Sequence, residues 1–81
     1  MSATEFSVFW WDELGLSYRD ISFVDAETAV YAAKAITDRL AAREGRVQRV
    51  IITDGGDIIV FEWRHGAGVT WPPQNIEEIA Q

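Results

Sequence analysis

Between Asp25 and Gly45 the chain runs for nineteen residues without glycine or proline, and seven of them are alanine, the strongest helix former. No other stretch constrains the fold as much. Asp25 is suited to cap the first turn, its carboxylate accepting from a free backbone amide. Ala29, Ala33, Ile36 and Leu40 recur at the spacing of one helical face, with Ala32 beside them. Gly45 supplies the left-handed residue on which many helices end. One helix over 25–45 is therefore expected, with a stripe of small residues that brings its axis close to a sheet.

The flanking segments read as hairpins. Downstream, Asp54-Gly55-Gly56-Asp57 separates two apolar runs with a glycine pair that accepts positive φ. With Gly55 and Gly56 as the loop, Ile52 faces Ile59, Val50 faces Phe61 and Gln48 faces Trp63. On the other face Ile51 opposes Val60, Thr53 opposes Ile58, and Arg49 opposes Glu62, an arrangement favoured by its like-with-like and opposite-charge pairs. Upstream, a loop between Asp12 and Ser17 sets Phe6 against Phe23, Val8 against Ile21 and Trp10 against Arg19. The opposite face then pairs Trp11 with Tyr18 and Phe9 with Asp20.

The fold class expected from this layout is α+β, a two-layer ββαββ domain with one long helix on a four-stranded, mainly antiparallel sheet. A single domain spans 1–81: hairpin 5–24, helix 25–45, hairpin 46–64 and tail 65–81. A right-handed split crossover gives strand order 2-1-3-4. In the tail, Asn75 with Glu78 resembles a capping box, and Trp71, Ile76 and Ile79 are the side chains with which it would dock.

Charge and composition exclude several classes. Thirteen Asp and Glu against seven Lys and Arg give a net charge of −6, the wrong sign for a module that displaces counterions from a nucleic acid. Arg39, Arg43, Arg46 and Arg49 cluster near the end of the helix, where they complement its dipole. Apolar runs are too short to span a membrane, and Met1 to Glu5 show no secretory pattern, so a cytoplasmic protein is expected. With no cysteine, no disulfide staples so small a core, and association with another subunit is a common remedy.

No catalytic constellation emerges. His65, the sole histidine, has no nucleophile or orienting group at a recognisable spacing. Asp54 and Asp57 lack the further oxygen ligands of a calcium loop, and Gly66-x-Gly68 lacks the third glycine of a nucleotide fingerprint. No cofactor or metal is implied, and the chain reads as a non-enzyme.

The order strand, strand, alanine-rich helix, strand, turn, strand is carried by Asp25-Ala26-Glu27-Thr28-Ala29 and by Val50-Ile51-Ile52-Thr53-Asp54-Gly55-Gly56-Asp57. It resembles small bacterial ββαββ domains of unknown function, over about Phe6 to Arg64. The resemblance is one of layout and implies no activity and no site residue.

One sheet face has an evident role. Phe6, Val8, Ile21, Phe23, Val50, Ile52, Ile59, Phe61 and Trp63 form the expected core beneath the helix. The other face is predicted to carry Phe9, Trp11, Tyr18, Ile51, Ile58 and Val60 among scattered charges. A helix about 10 Å across covers only one side of a sheet. The tail, through Trp71, a second copy of the chain, or another protein or apolar ligand is expected to cover the rest. The function expected is therefore protein interaction, with self-association through Phe9, Trp11, Tyr18, Ile51, Ile58, Val60 and Trp71. Two alternatives use other chemistry: an aromatic-ligand module, as in small oligomeric flavin-storage proteins, and an acidic inhibitor of a basic, nucleic-acid-binding protein.

Overall fold

The computed structural model describes residues 4–72, so the expected capping box at Asn75 and Glu78, and Ile76 and Ile79, lie outside the described residues. Seven elements follow one another: β1 Phe6–Asp12, β2 Ser17–Val24, α1 Ala26–Thr37, α2 Leu40–Arg43, β3 Val47–Thr53, β4 Ile59–Arg64 and β5 Gly68–Trp71. The strands form one sheet in the order β2-β1-β3-β4-β5, with every ladder antiparallel. The domain is α+β with five strands rather than four. The fifth comes from the segment read as tail: Val69 pairs with Trp63 and Trp71 with Glu62.

Asp25 caps α1 as expected, accepting from the Thr28 amide at 2.8 Å. The Thr28 side chain first, and this amide second, hold its carboxyl below its ordinary value. The helix does not reach Gly45 unbroken. Thr37 Oγ1 donates to the Lys34 carbonyl at 3.0 Å, and the Arg39 amide turns back to Ile36 at 3.2 Å. Threonine and aspartate compete with the helical ladder in this way, and α1 stops at Thr37. The short α2 restarts at Leu40 and ends on Gly45 at φ +84°, where the Arg46 amide reaches back to the Ala41 carbonyl. The break takes Leu40 off the inner stripe and leaves it exposed, while Ala42 and Val47 enter the core.

Both hairpins use the same turn. Asp12 and Asp54 each accept two loop amides with one carboxylate oxygen: Leu14 and Leu16 in the first, Gly56 and Ile58 in the second. Each loop holds three residues, where two were expected at Gly55-Gly56 and an even number between Asp12 and Ser17, and each is closed by a left-handed residue, Gly15 at φ +82° and Asp57 at φ +61°. The Asp54 carbonyl accepts from the Asp57 amide at 3.1 Å.

The turn shifts the second register. Thr53 pairs with Ile59, Val60 is the extra residue of a bulge, and Ile52 then meets Phe61, Val50 meets Trp63, Ile51 meets Glu62 and Arg49 meets Arg64. The slip along most of the ladder is an even number of residues, so Val50, Ile52, Phe61 and Trp63 keep the helix side.

In the first hairpin the slip is odd. Trp10 pairs with Tyr18 and Phe9 with Arg19, which turns Tyr18 to the helix side, against expectation. Irregularities on either side of Val8 place Ile21 opposite it and Val24, not Phe23, opposite Phe6. Phe23 leaves the expected core altogether, 74% exposed with φ +56°.

The core is closed by Val8, Ala29, Ala33, Ile36, Val50 and Ile52, each at most 3% exposed. Phe6, Trp10, Ile21, Val24, Phe61 and Trp63 pack around it. The small side chains of α1 let the helix rest on β1, β2 and β3, with no comparable seat on β4 or β5.

Candidate interaction surface

Both helices lie on one side of the sheet, because Ala29, Ala33, Ile36 and Ala42 join one core with Val8, Val50 and Ile52. Alternation along the strands sends Phe9, Trp11, Arg49, Ile51, Glu62 and Arg64 to the other side. The registers assemble them into rows. One row runs Arg19, Phe9, Ile51, Glu62, Trp71 across all five strands. The next runs Ser17, Trp11, Arg49, Arg64, Gly68.

Electrostatics organise the second row. Arg49 stands directly opposite Arg64, and like charges in that position destabilise a ladder. Glu62, on the diagonal, resolves the conflict. Its Oε2 accepts from Arg49 Nε and forms an ion pair with Arg64 at 3.2 Å, and its Oε1 accepts from Thr70 Oγ1 at 2.7 Å. Burial alone would raise the Glu62 carboxyl, but the hydrogen bonds from Thr70 and Arg49 and the charges of both arginines prevail and hold it below its ordinary value. The Arg49 guanidinium also lies 4.6 Å from the centre of the Trp11 ring, and Arg19 lies 5.7 Å from that of Phe9.

The seven residues expected at an interface are thus divided. Phe9 and Trp11 share the helix-free face and are half-buried. Ile51 sits there too but is only 6% exposed, enclosed by its row, and offers almost no contact area. Val60 borders the face at the bulge, Trp71 stands across from Glu62 on β5, and Ile58 projects at the turn; all three are exposed. Tyr18 belongs to the other side, stacked on Trp10 with ring centres 4.4 Å apart. Its hydroxyl donates to Asp12 at 2.8 Å, which raises the tyrosine pKa and lowers that of the aspartate.

Sequence reasoning missed a second feature. Because α1 lies over β1 to β3, an apolar groove of about 300 Å³ remains on the helix side, lined by Val30, Ala33, Phe61, Trp63 and Val69. Its signal was the apolar Val30 beside the inner stripe and a third hairpin strand supplying Val69. Neither reveals how far sideways a helix sits.

Groups considered for catalysis or metal binding have local duties. His65 meets Trp63 edge-on and covers Gly45. Asp54 holds its own turn. Among the described residues, no three His, Cys, Asp or Glu are grouped so as to hold a metal ion, and no helix is long and apolar enough to cross a membrane. No protein-family model matches the chain, and comparisons with curated proteins and with solved structures return no match.

Proposed function

We propose that this chain is a non-catalytic protein-interaction module that self-associates through the sheet face opposite its helices. The observation that carries the reading is the composition of that face. Phe9, Trp11 and Trp71 lie on it with Arg19, Arg49 and Arg64, and tryptophan and arginine are the residues in which binding hot spots are richest. Arg49 and Arg19 are already held over aromatic rings, so little side-chain freedom remains to be lost on docking. Five strands about 4.8 Å apart give a face roughly 20–25 Å wide, a modest area for a second copy to cover.

Sedimentation velocity at two protein concentrations tests it. The 9.1 kDa chain is expected to shift from monomer to dimer as concentration rises, and Trp11→Ser to remain monomeric with its fold intact. A wild type that stays monomeric at high concentration refutes the proposal.

The apolar groove favours a second reading, a site for a small aromatic ligand, since its volume lies at the lower end for ligand pockets. Quenching of Trp63 across a flavin and nucleotide panel, abolished by Val69→Arg, supports it; no quenching removes it.

A further inference from the structure

The helix-free face has a direction. β1 begins beside Glu5 and ends at Trp11 and Asp12, while β3 runs the opposite way from Arg49 to Thr53 and Asp54. Arg49, Arg64 and Trp11 therefore mark one end of the face. Glu5 and Asp57 mark the other, at the β3–β4 turn, where the Glu5 carboxylate approaches the Gly55 amide. The ends are about 17 Å apart, five residues of strand. Between them lie Phe9, Ile51, Val60 and Trp71, with Glu62 already engaged by both arginines. Asp12, at the arginine end, and Asp54, at the other, are left out of this difference, because each carboxylate is held by the amides of its own turn.

We infer that two copies pack face to face with their strands antiparallel, about a two-fold axis that lies in the interface and crosses the strands. The inference rests on the self-association proposed above and supplies its geometry. A two-fold contact brings the same patch together from both copies. With the axis across the strands, the Arg49–Arg64 end of each copy meets the Glu5–Asp57 end of the other, and the aromatic belts meet between them. With the axis along the strands, arginine would face arginine at one end and carboxylate would face carboxylate at the other. Charge complementarity selects the first arrangement, in which Arg49 and Arg64, already bridged by Glu62, gain further counter-charge from the second copy.

The test is a charge exchange between separately purified variants. Arg64→Glu alone and Glu5→Lys alone each place like charges at both ends of the dimer and are expected to weaken self-association by about tenfold or more. Their equimolar mixture pairs Glu with Lys at one end, keeps the native pairing at the other, and is expected to form a heterodimer of near wild-type affinity. Circular dichroism melts check that each variant is folded, and Arg64→Gln provides a milder change with the same sign. If Arg64→Glu alone associates more tightly than wild type, the strands pack parallel and the inference is overturned. Single variants that dimerise like wild type, or a mixture that stays monomeric while wild type dimerises, also overturn it. A monomeric wild type overturns the self-association reading, and this geometry with it.

Discussion

Glu62→Gln isolates the one carboxylate on which the helix-free face depends. It keeps the size of the side chain but removes the charge between Arg49 and Arg64. The Glu62 side chain is 14% exposed and that of Arg49 26%, so their bond is partly sheltered from water. Losing it costs about 1 kcal/mol, below the usual range for a charged hydrogen bond because of the remaining solvent. Arg64, half exposed, adds about 0.5 kcal/mol, and the cross-strand repulsion released between the two arginines about 0.5 kcal/mol more. The expected destabilisation is about 2 kcal/mol, or a fall in Tm of roughly 8–16 °C for a domain of this size.

Urea titration followed by tryptophan fluorescence, at a concentration that keeps the chain monomeric, measures the loss. The diagnostic step is a double-mutant cycle with Arg64→Gln. In the wild type that change removes a favourable ion pair and destabilises slightly. In the Glu62→Gln background it removes a repulsive neighbour and stabilises. Acid titration adds a second signature. Because the folded protein holds the Glu62 carboxyl below its ordinary value, the unfolded chain takes up that proton first as pH falls. The stability gap between wild type and Glu62→Gln should therefore be full at pH 7 and close as pH falls through the folded value. An Arg64→Gln effect of the same sign and size in both backgrounds refutes the reasoning, as does a gap that persists in acid.

Other expectations follow from single features. Ile36→Ala empties a fully buried site beneath α1 and should cost about 3 kcal/mol by urea denaturation, since the surrounding core relaxes only in part. Phe23→Asn should stabilise the fold by up to about 1 kcal/mol in the same assay, because a bulky exposed residue is replaced at φ +56° by one that tolerates the left-handed region. Asp12→Asn removes the carboxylate that raises the Tyr18 pKa, so ultraviolet titration should show that phenol ionising at lower pH than in the wild type.

The expected arrangement of strands and helices was legible because periodicity carried it. The start of α1 at Asp25 and the burial of Ala29, Ala33 and Ile36 follow from patterns within short windows, and the order β2-β1-β3-β4 from the handedness of the crossover between the hairpins. Registers were harder. Asp12 and Asp54 read as turn residues, but the bonds from their carboxylates that impose three-residue loops act across positions that a pattern of apolar residues does not weigh. An odd slip in the first hairpin sent Tyr18 to the opposite face, whereas the slip along most of the second left its faces unchanged. β5 was readable only as a short extended piece, because Val69, Thr70 and Trp71, between Gly68 and two prolines, are too few to show the alternation of a paired strand. At the candidate site, Phe9 and Trp11 were readable from their alternation with the core residues Val8 and Trp10. The joining of Arg49, Arg64, Glu62 and Thr70 was not, because β5 supplies the last of them.

By itself, the sequence determined which residues avoid water and in what local period, and so the helix, the hairpins and one core face. Those properties depend on neighbours three or four positions away, and the chain carries them wherever it goes. Tertiary structure alone decided the lateral seat of α1, the bulges and the cross-strand rows. Each of these is a balance between distant segments: a helix sits where its small side chains fit, and a bulge forms where two strands of unequal length must share a ladder. The face opposite the helices takes its chemical character from that balance. Its aromatic and charged residues were in the sequence, but their alignment into a belt with oppositely charged ends required the fold.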